Sequence, residues 1–218
     1  IDDYDLDEID ILIFDIQDVG VRFYTHISTL HYVMEASARN NIPLIVMDRP
    51  NPNAHYVDGP VLDLKNQSFV GMHEVPIVYG LTIGEYATMI NNEGWLNNNM
   101  KSNLTIIELK NYDRKVTYDL PILPSPNLPN RKSINLYPSL CLFEGTNVSV
   151  GRGTEMQFQI YGSPYLNKEK NNFRFTPKKN SGSKYPKHEN LLCYGKNLSE
   201  NKKLDKFDLS FLLNAYSD

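Results

Sequence analysis

The sequence is poor in thiols, with two cysteines, Cys141 and Cys193, in 218 residues. That number excludes a disulfide framework and a four-thiolate zinc site, and leaves room for one disulfide. Positive charge is in deficit: 22 Lys and Arg stand against 26 Asp and Glu, a formal charge of −4. The composition therefore offers no basic surface for nucleic acid. No apolar run approaches the roughly 20 residues that a membrane-spanning helix needs. Nucleotide signatures are missing, since no G-x-G-x-x-G follows a strand and no G-x-x-x-x-G-K-[ST] occurs. There is no G-x-S-x-G nucleophile elbow. His26, His31, His55, His73 and His188 fall at no ligand spacing such as H-x-x-x-H. No metal site and no cofactor is therefore expected.

What is present suits a folded α/β chain. The hydrophobic share is 41% and the charged share 22%, close to ordinary soluble domains. The 14 tyrosines suit stacking on sugars or bases as well as plain packing. Ile9–Phe14 reads as a strand covered on both faces, as in a parallel sheet. Thr25–Asn40 then shows helical spacing at Ile27, Leu30, Met34 and Ala38, and Leu44–Met47 reads as a second buried strand. Thr82–Glu93 predicts a second helix with Gly94 after its end, and Leu104–Leu109 another strand. Pro121, Pro124, Pro126, Pro129 and Pro138 deny regular structure to the stretch that follows. The junction is placed there, between a domain over residues 1–124 and one over 125–218. Lys168–Lys187 reads as a long solvated loop, and Leu209, Leu212, Leu213 and Tyr216 as the start of a helix. The chain begins with Ile1 rather than Met and stops inside that helical pattern, so it is expected to be part of a longer protein.

In open α/β sheets ligands bind beyond the carboxyl ends of the strands. The first strand runs into Asp15–Thr25 and the second into Asp48–Pro52. Asp15, Gln17, Asp18, Arg22, Tyr24, Asp48, Arg49 and Asn51 are therefore expected on one rim, suited to a charged, hydroxyl-rich ligand. The competing reading is structural: strand-end aspartates capping turns, and arginines paired within the protein. Thr82–Glu85 fits a capping box, so Glu85 is not offered as catalytic. A second cluster spans Glu144–Thr154. Glu144 follows an apolar run, and partial burial there would raise its carboxyl pKa as a general acid requires. Gly151 and Gly153 leave Arg152 unobstructed, and the competing reading is a hairpin with an Arg–Glu bridge. Asn127, in a Pro-flanked loop, and Asn147 are further candidates for sugar contacts.

These motifs together carry a resemblance. F-D-I-Q-D-V-G-V-R-F-Y-T-H-I-S-T (14–29), D-R-P-N-P (48–52), D-G-P-V-L (58–62), Y-G-L-T-I-G-E (79–85), P-S-P-N-L-P (124–129) and Y-P-S-L-C-L-F-E-G-T-N-V-S-V-G-R-G-T (137–154) resemble the NamZ family of exo-acting β-N-acetylmuramidases. The likeness runs from about Ile9 to the Y-P-K segment at Tyr185. It implies an α/β fold: a Rossmann-like domain with a parallel sheet, incomplete at its N-terminus, then a smaller α+β C-terminal domain. It implies an active site in the cleft between them, and release of N-acetylmuramic acid from the non-reducing end of peptidoglycan-derived muramyl glycans. The family also carries a G-P-E-H-G-like motif upstream of D-I-Q-D-V-G, and its Glu is the implied principal acid; this chain has no such motif. Asp15, Asp18 and Glu144 are the candidates for the partner carboxylate. Gln17, Tyr24, Asp48, Asn51, Asn127 and Asn147 are candidate substrate contacts, and Arg22, Arg49 or Arg152 are candidates for the lactyl carboxylate. The 2-acetamido group is a candidate internal nucleophile, oriented by one protein carboxylate. The family occurs as exported and as cytoplasmic proteins, with export slightly favoured here. Two other functions compete: a sugar-binding module without turnover, and a metal-dependent phosphohydrolase on the Asp15–Asp18 rim. D-I-Q-D lacks the D-x-D spacing of such phosphatase loops, which ranks the phosphohydrolase last.

Overall fold

The first two strands each stop where an apolar run meets an aspartate: β1 (Leu12–Phe14) at Asp15, and β2 (Leu44–Met47) at Asp48. The computed structural model describes residues 1–218, and the chain divides into two compact units, Ile1–Tyr118 and Asp119–Asp218. In the first unit β1, β2 and β3 (Leu104–Ile107) form a parallel sheet in that order. Leu12 lies opposite Leu44, and Leu44 opposite Leu104. The crossovers carry α1 (His26–Asn40) and α2 (Ile83–Asn92). Phe14, Leu44 and Val46 share one apolar cluster with Ile27, Leu30 and Met34 of α1 and Ile83, Tyr86 and Ile90 of α2.

Because side chains alternate along a strand, the opposite face is also defined, and within this chain it is bare. Ile11 is 51% exposed, Ile13 66% and Ile107 47%. Within these residues the first strand is therefore covered on one face. Both helices pack on the same side of the sheet, and within these residues β1 lies at its edge.

The α2 start follows the capping-box reading. Thr82 Oγ1 accepts from Glu85 N at 3.3 Å, and Glu85 Oε2 accepts from Thr82 N at 2.9 Å. A polar chain runs through the core beside it. The Glu35 carboxylate accepts from Asn97 N (3.0 Å) and from His31 Nε2 (3.2 Å). His31 Nδ1 is thereby the acceptor for His73 Nε2 (2.9 Å), and His73 Nδ1 accepts from the Tyr86 hydroxyl (3.0 Å). The His73 ring stacks on Trp95 at 4.7 Å. Burial pushes the His73 pKa down to about 3, with the His31 charge a second cause. Burial also lowers that of His31 against the pull of Glu35.

The second unit is built on α3 (Arg131–Leu140), whose N-cap Asn130 exchanges hydrogen bonds with Ser133. Pro138 lies inside α3, contrary to the expectation that the prolines exclude regular structure. It sits in the last turn, just before the backbone tightens into a 3-10 helix over Cys141–Gly145, so little of the helical ladder is lost. An antiparallel sheet follows in the order β4 (Ile160–Ser163), β6 (Cys193–Asn197), β5 (Phe173–Phe175). Gly195 permits the close β4–β6 approach, because a Cβ there would lie 1.8 Å from the Tyr161 carbonyl oxygen. The loop expected over Lys168–Lys187 thus contains an edge strand, formed by the alternation Phe-Arg-Phe. Phe143 and Tyr161 stack at 4.9 Å in this core, against α4 (Ser210–Ser217) through Phe211. Cys141 and Cys193 are free thiols, so no disulfide forms. Burial pushes their pKa values up to about 12 and about 11.

Candidate active site

The carboxyl ends of β1, β2 and β3 open into a cavity of about 490 Å³. Asp15, Asp48 and Arg49 line it, with Asn111, Tyr112 and Tyr118 from the segment after β3. Asp15 Oδ1 accepts from Arg49 Nε (2.8 Å) and Nη2 (2.7 Å), and both side chains are partly open to solvent. One carboxylate oxygen thus holds the guanidinium, and no hydrogen bond within the chain engages Oδ2. Asp48 is committed to the fold. Its Oδ1 accepts from Gly84 N (2.8 Å) and Arg49 N (3.0 Å), and its Oδ2 from Thr82 Oγ1 (2.9 Å). It therefore caps the N-terminus of α2, where a carboxylate also meets the helix dipole.

The remaining rim candidates do not reach this cavity, so the expected convergence of eight residues reduces to three. Asp18 is 3% exposed. Its Oδ2 accepts from Gly20 N at 2.7 Å and from the Tyr79 hydroxyl. Burial raises its pKa, and the Tyr79 hydrogen bond opposes that rise. Gln17 Nε2 donates to the carbonyls of Asp18 (2.7 Å) and Pro50 (2.9 Å). Arg22 Nη1 donates to the carbonyls of Pro60 and Val75. Tyr24 meets His26 edge-on at 4.6 Å, and burial pushes its pKa up to about 12. Asn51 is buried, with Nδ2 on the Leu81 carbonyl (2.8 Å) and Oδ1 accepting from Asn53 N (2.8 Å). The cause is local. Gly20 takes φ +74° and its Cα faces the Asn51 amide so closely that a Cβ would lie 2.2 Å from Oδ1. The turn folds inward and carries Asp18 with it.

In the second unit Glu144 is exposed rather than partly buried, because the 3-10 turn over Cys141–Gly145 sends Phe143 inward and Glu144 out. Its Oε1 accepts from Arg152 Nε at 3.0 Å. The Arg152 guanidinium lies 5.0 Å from the Phe158 ring centroid. The two side chains border a concavity of about 170 Å³ with Ser183, Tyr185 and Lys187. Asn147 is exposed, and its carbonyl accepts from His188 Nε2 at 2.6 Å. Asn127 is buried and donates from Nδ2 to the Gly182 carbonyl at 2.7 Å.

Residues 2–132 match the family model described as the N-terminal part of exo-beta-N-acetylmuramidase NamZ, and residues 135–216 match the C-terminal part. The chain belongs to the NamZ family. It is 41% identical over 223 aligned residues to the peptidoglycan beta-N-acetylmuramidase NamZ of Bacillus subtilis (strain 168), covering 93% of this chain. It spans about half of that relative, 51% of its length. Among solved structures, the DUF1343 family protein BF0379 of Bacteroides fragilis NCTC 9343 is similar over the whole chain and 62% of its own. It is 47% identical, with a TM-score of 0.94. BF0371 of the same organism is 29% identical over 97% of this chain and 59% of its own, with a TM-score of 0.84. The α/β class, with a parallel sheet followed by a smaller α+β part, is the architecture of these NamZ-family neighbours.

Tyr112, Tyr118 and Asn111 were absent from the sequence candidates although the same rule finds them. They follow the carboxyl end of the third strand just as Asp15 and Asp48 follow the first two. Ser183, Tyr185 and Lys187 gave no such signal, since they lie in a polar stretch that reads as a solvated loop.

Proposed function

We propose that this chain forms part of a glycosidase acting on muramyl residues of peptidoglycan fragments and releasing N-acetylmuramic acid from their non-reducing ends. The observation that carries this reading is the cavity at the strand ends, in a chain both of whose halves match the NamZ family. A pyranose fits its chemistry: Tyr112 and Tyr118 offer ring faces, while Asp15 and Arg49 offer a charged hydrogen-bonding edge. Asp15 is the carboxylate placed to work on a ligand, because Arg49 engages Oδ1 and leaves Oδ2 to accept. In a substrate-assisted reaction the acetamido oxygen attacks the anomeric carbon as the glycosidic bond breaks. Asp15 Oδ2 accepts from the acetamido N–H and orients it. A general acid, the Glu that the resemblance places upstream, gives its proton to the departing oxygen, and water then opens the cyclic intermediate. Asp18 and Asp48 serve as scaffold.

The test is turnover of a chromogenic β-N-acetylmuramide by the longer protein that contains this chain. Asp15→Asn is expected to lower kcat by roughly 10²-fold or more with unchanged thermal stability. Wild-type kcat in that variant would remove Asp15 from the reaction. Saturable muramide binding with no turnover would instead favour a sugar-binding module.

A further inference from the structure

Much of the strand-end cavity is walled by residues 109–118, which follow β3 and form no helix or strand. No helix or sheet ladder fixes such a segment, so its position depends on side-chain tethers. Asn111 and Tyr112 line the cavity ahead of the middle of the segment, and Val116 and Tyr118 line it beyond. Between them stands Arg114, which is not part of the lining. Its side chain runs instead to the start of α2. Nε donates to the Gly80 carbonyl at 3.1 Å, and Nη2 donates to Glu85 Oε1. A second tether is weaker. The Tyr112 hydroxyl accepts from Asn51 N and donates to the Asn51 carbonyl, both at 3.3 Å, long for a hydroxyl.

The anchor that Arg114 holds is itself fixed. Glu85 Oε2 is occupied by Thr82 N in the capping box, which leaves Oε1 for Arg114. Gly80 takes φ +72°, and a Cβ there would lie 2.7 Å from Val57 Cγ2, so the turn that presents its carbonyl admits no side chain. Asp48 joins the same helix start through Thr82 Oγ1 and Gly84 N. The segments after β2 and β3 are thus tied to one post, the first turn of α2. Past the tether the backbone turns: Asp113 Oδ1 accepts from Lys115 N (2.8 Å), and the Asp113 carbonyl accepts from Val116 N (3.1 Å). That turn brings Val116 and Tyr118 to the cavity. Both partners of the Arg114–Glu85 pair are close to half exposed, so the pair contributes little to global stability. Its consequence is local, in where the tyrosine wall stands.

We infer that Arg114 is a positioning residue for this cavity: by holding Glu85 and the Gly80 carbonyl it sets where Tyr112 and Tyr118 stand, and through them the affinity for a sugar ring. The choice of a muramyl sugar rests on the reading above; the tether does not. Kinetics of the longer protein on a chromogenic β-N-acetylmuramide give the first test. Arg114→Met is expected to raise KM roughly 3- to 10-fold, the worth of a displaced ring contact. Its kcat should stay within about twofold, because Asp15 and Arg49 are untouched. Glu85→Gln keeps its single amide oxygen for the cap and gives up Arg114, so it should raise KM by a similar factor. The double variant should go no further, since both changes remove one bond. Arg114→Lys keeps the cation and should recover part of the loss. Wild-type KM in Arg114→Met, or additive effects in the double variant, overturns the proposal. The second test needs no sugar. Lys110 and Lys115 flank the tether and are exposed, so trypsin should cleave after them at least about threefold faster in Arg114→Met than in the wild type. Equal cleavage overturns the tether. The two readings fail separately. Faster cleavage in a protein that does not hydrolyse the muramide sinks the glycosidase and keeps the tether. Hydrolysis with equal cleavage and unchanged KM does the reverse.

Discussion

Lowering the pH should loosen the first unit through one side chain. His73 is 4% exposed, receives the Tyr86 hydroxyl on Nδ1 and gives Nε2–H to His31. A proton added to Nδ1 would face a hydroxyl already committed as donor. Glu74 is the carboxylate lining the surrounding cavity, and Glu35 lies beyond His31. Glu35 is engaged by His31 and Asn97, one residue removed from His73. The pKa is accordingly pushed down to about 3 from an ordinary 6.5. A histidine depressed in the folded state binds its proton more readily when unfolded. Its effect on stability is nil above about pH 6.5 and increasingly unfavourable as pH falls toward 3. Between about pH 7.5 and pH 5 the unfolded side chain gains roughly 1.5 pH units of proton binding that the folded one forgoes, about 2 kcal/mol. Asp18 works in the opposite sense, because its raised folded pKa favours the native state as pH falls. The comparison must therefore be with a variant. Urea unfolding followed by the fluorescence of Trp95, the sole tryptophan, reads the ring stacked on His73. The wild type should lose about 2 kcal/mol more than His73→Gln across that pH interval. Equal pH slopes, or a His73 ring resonance that titrates near 6.5, would refute the reasoning.

Four further outcomes follow from contacts within the two units. Gly84→Ala should destabilise the first unit by about 1–3 kcal/mol, because its Cβ would sit 2.8 Å from both Asp48 Cγ and Ile106 Cγ2; Trp95-monitored unfolding reads this. Asp18→Ala should cost about 2–4 kcal/mol in the same assay, since it strands the buried Tyr79 hydroxyl and the Gly20 N–H. Asp15→Asn should stay within about 0.5 kcal/mol of the wild type, because its ion pair is half exposed. Lys187→Met should lower the calorimetric melting temperature of the second unit by several degrees, as four carbonyls of residues 143–148 lose one shared donor.

How far the sequence reached depended on whether a pattern was local. Helical spacing located α1 and α2 within two residues, and Thr82–Glu85 located a cap that the structure repeats atom for atom, because those signals are complete within one turn of chain. Phe-Arg-Phe carried too few residues to stand out from the Lys- and Asn-rich stretch around it. It becomes β5 only through pairing with β6, some 20 residues away. Pro138 misled for a related reason. Its effect on a helix depends on where the helix ends, and that is set by the 3-10 turn beyond it.

Asp15 and Asp18 show the limit for function. Three residues apart in one motif, they look equivalent in the sequence, yet one faces a cavity and the other is sealed against Tyr79. The difference lies in Gly20, whose left-handed φ and missing Cβ let the turn close onto Asn51, 31 positions along the chain. A second long-range relation governs the sheet. Ile11, Ile13 and Ile107 are as apolar as a parallel strand requires, so composition predicted cover on both faces, while only one face receives helices within these residues. Both relations have one origin: alternation and charge state what a side chain needs, and only the partner segment decides whether this stretch of chain supplies it. The arginines make the same point constructively. Arg22, Arg49 and Arg152 are interchangeable as letters, and they separate by what each holds: two backbone carbonyls, the Asp15 carboxylate and the Glu144 carboxylate, none of them legible from the neighbouring residues of the chain alone.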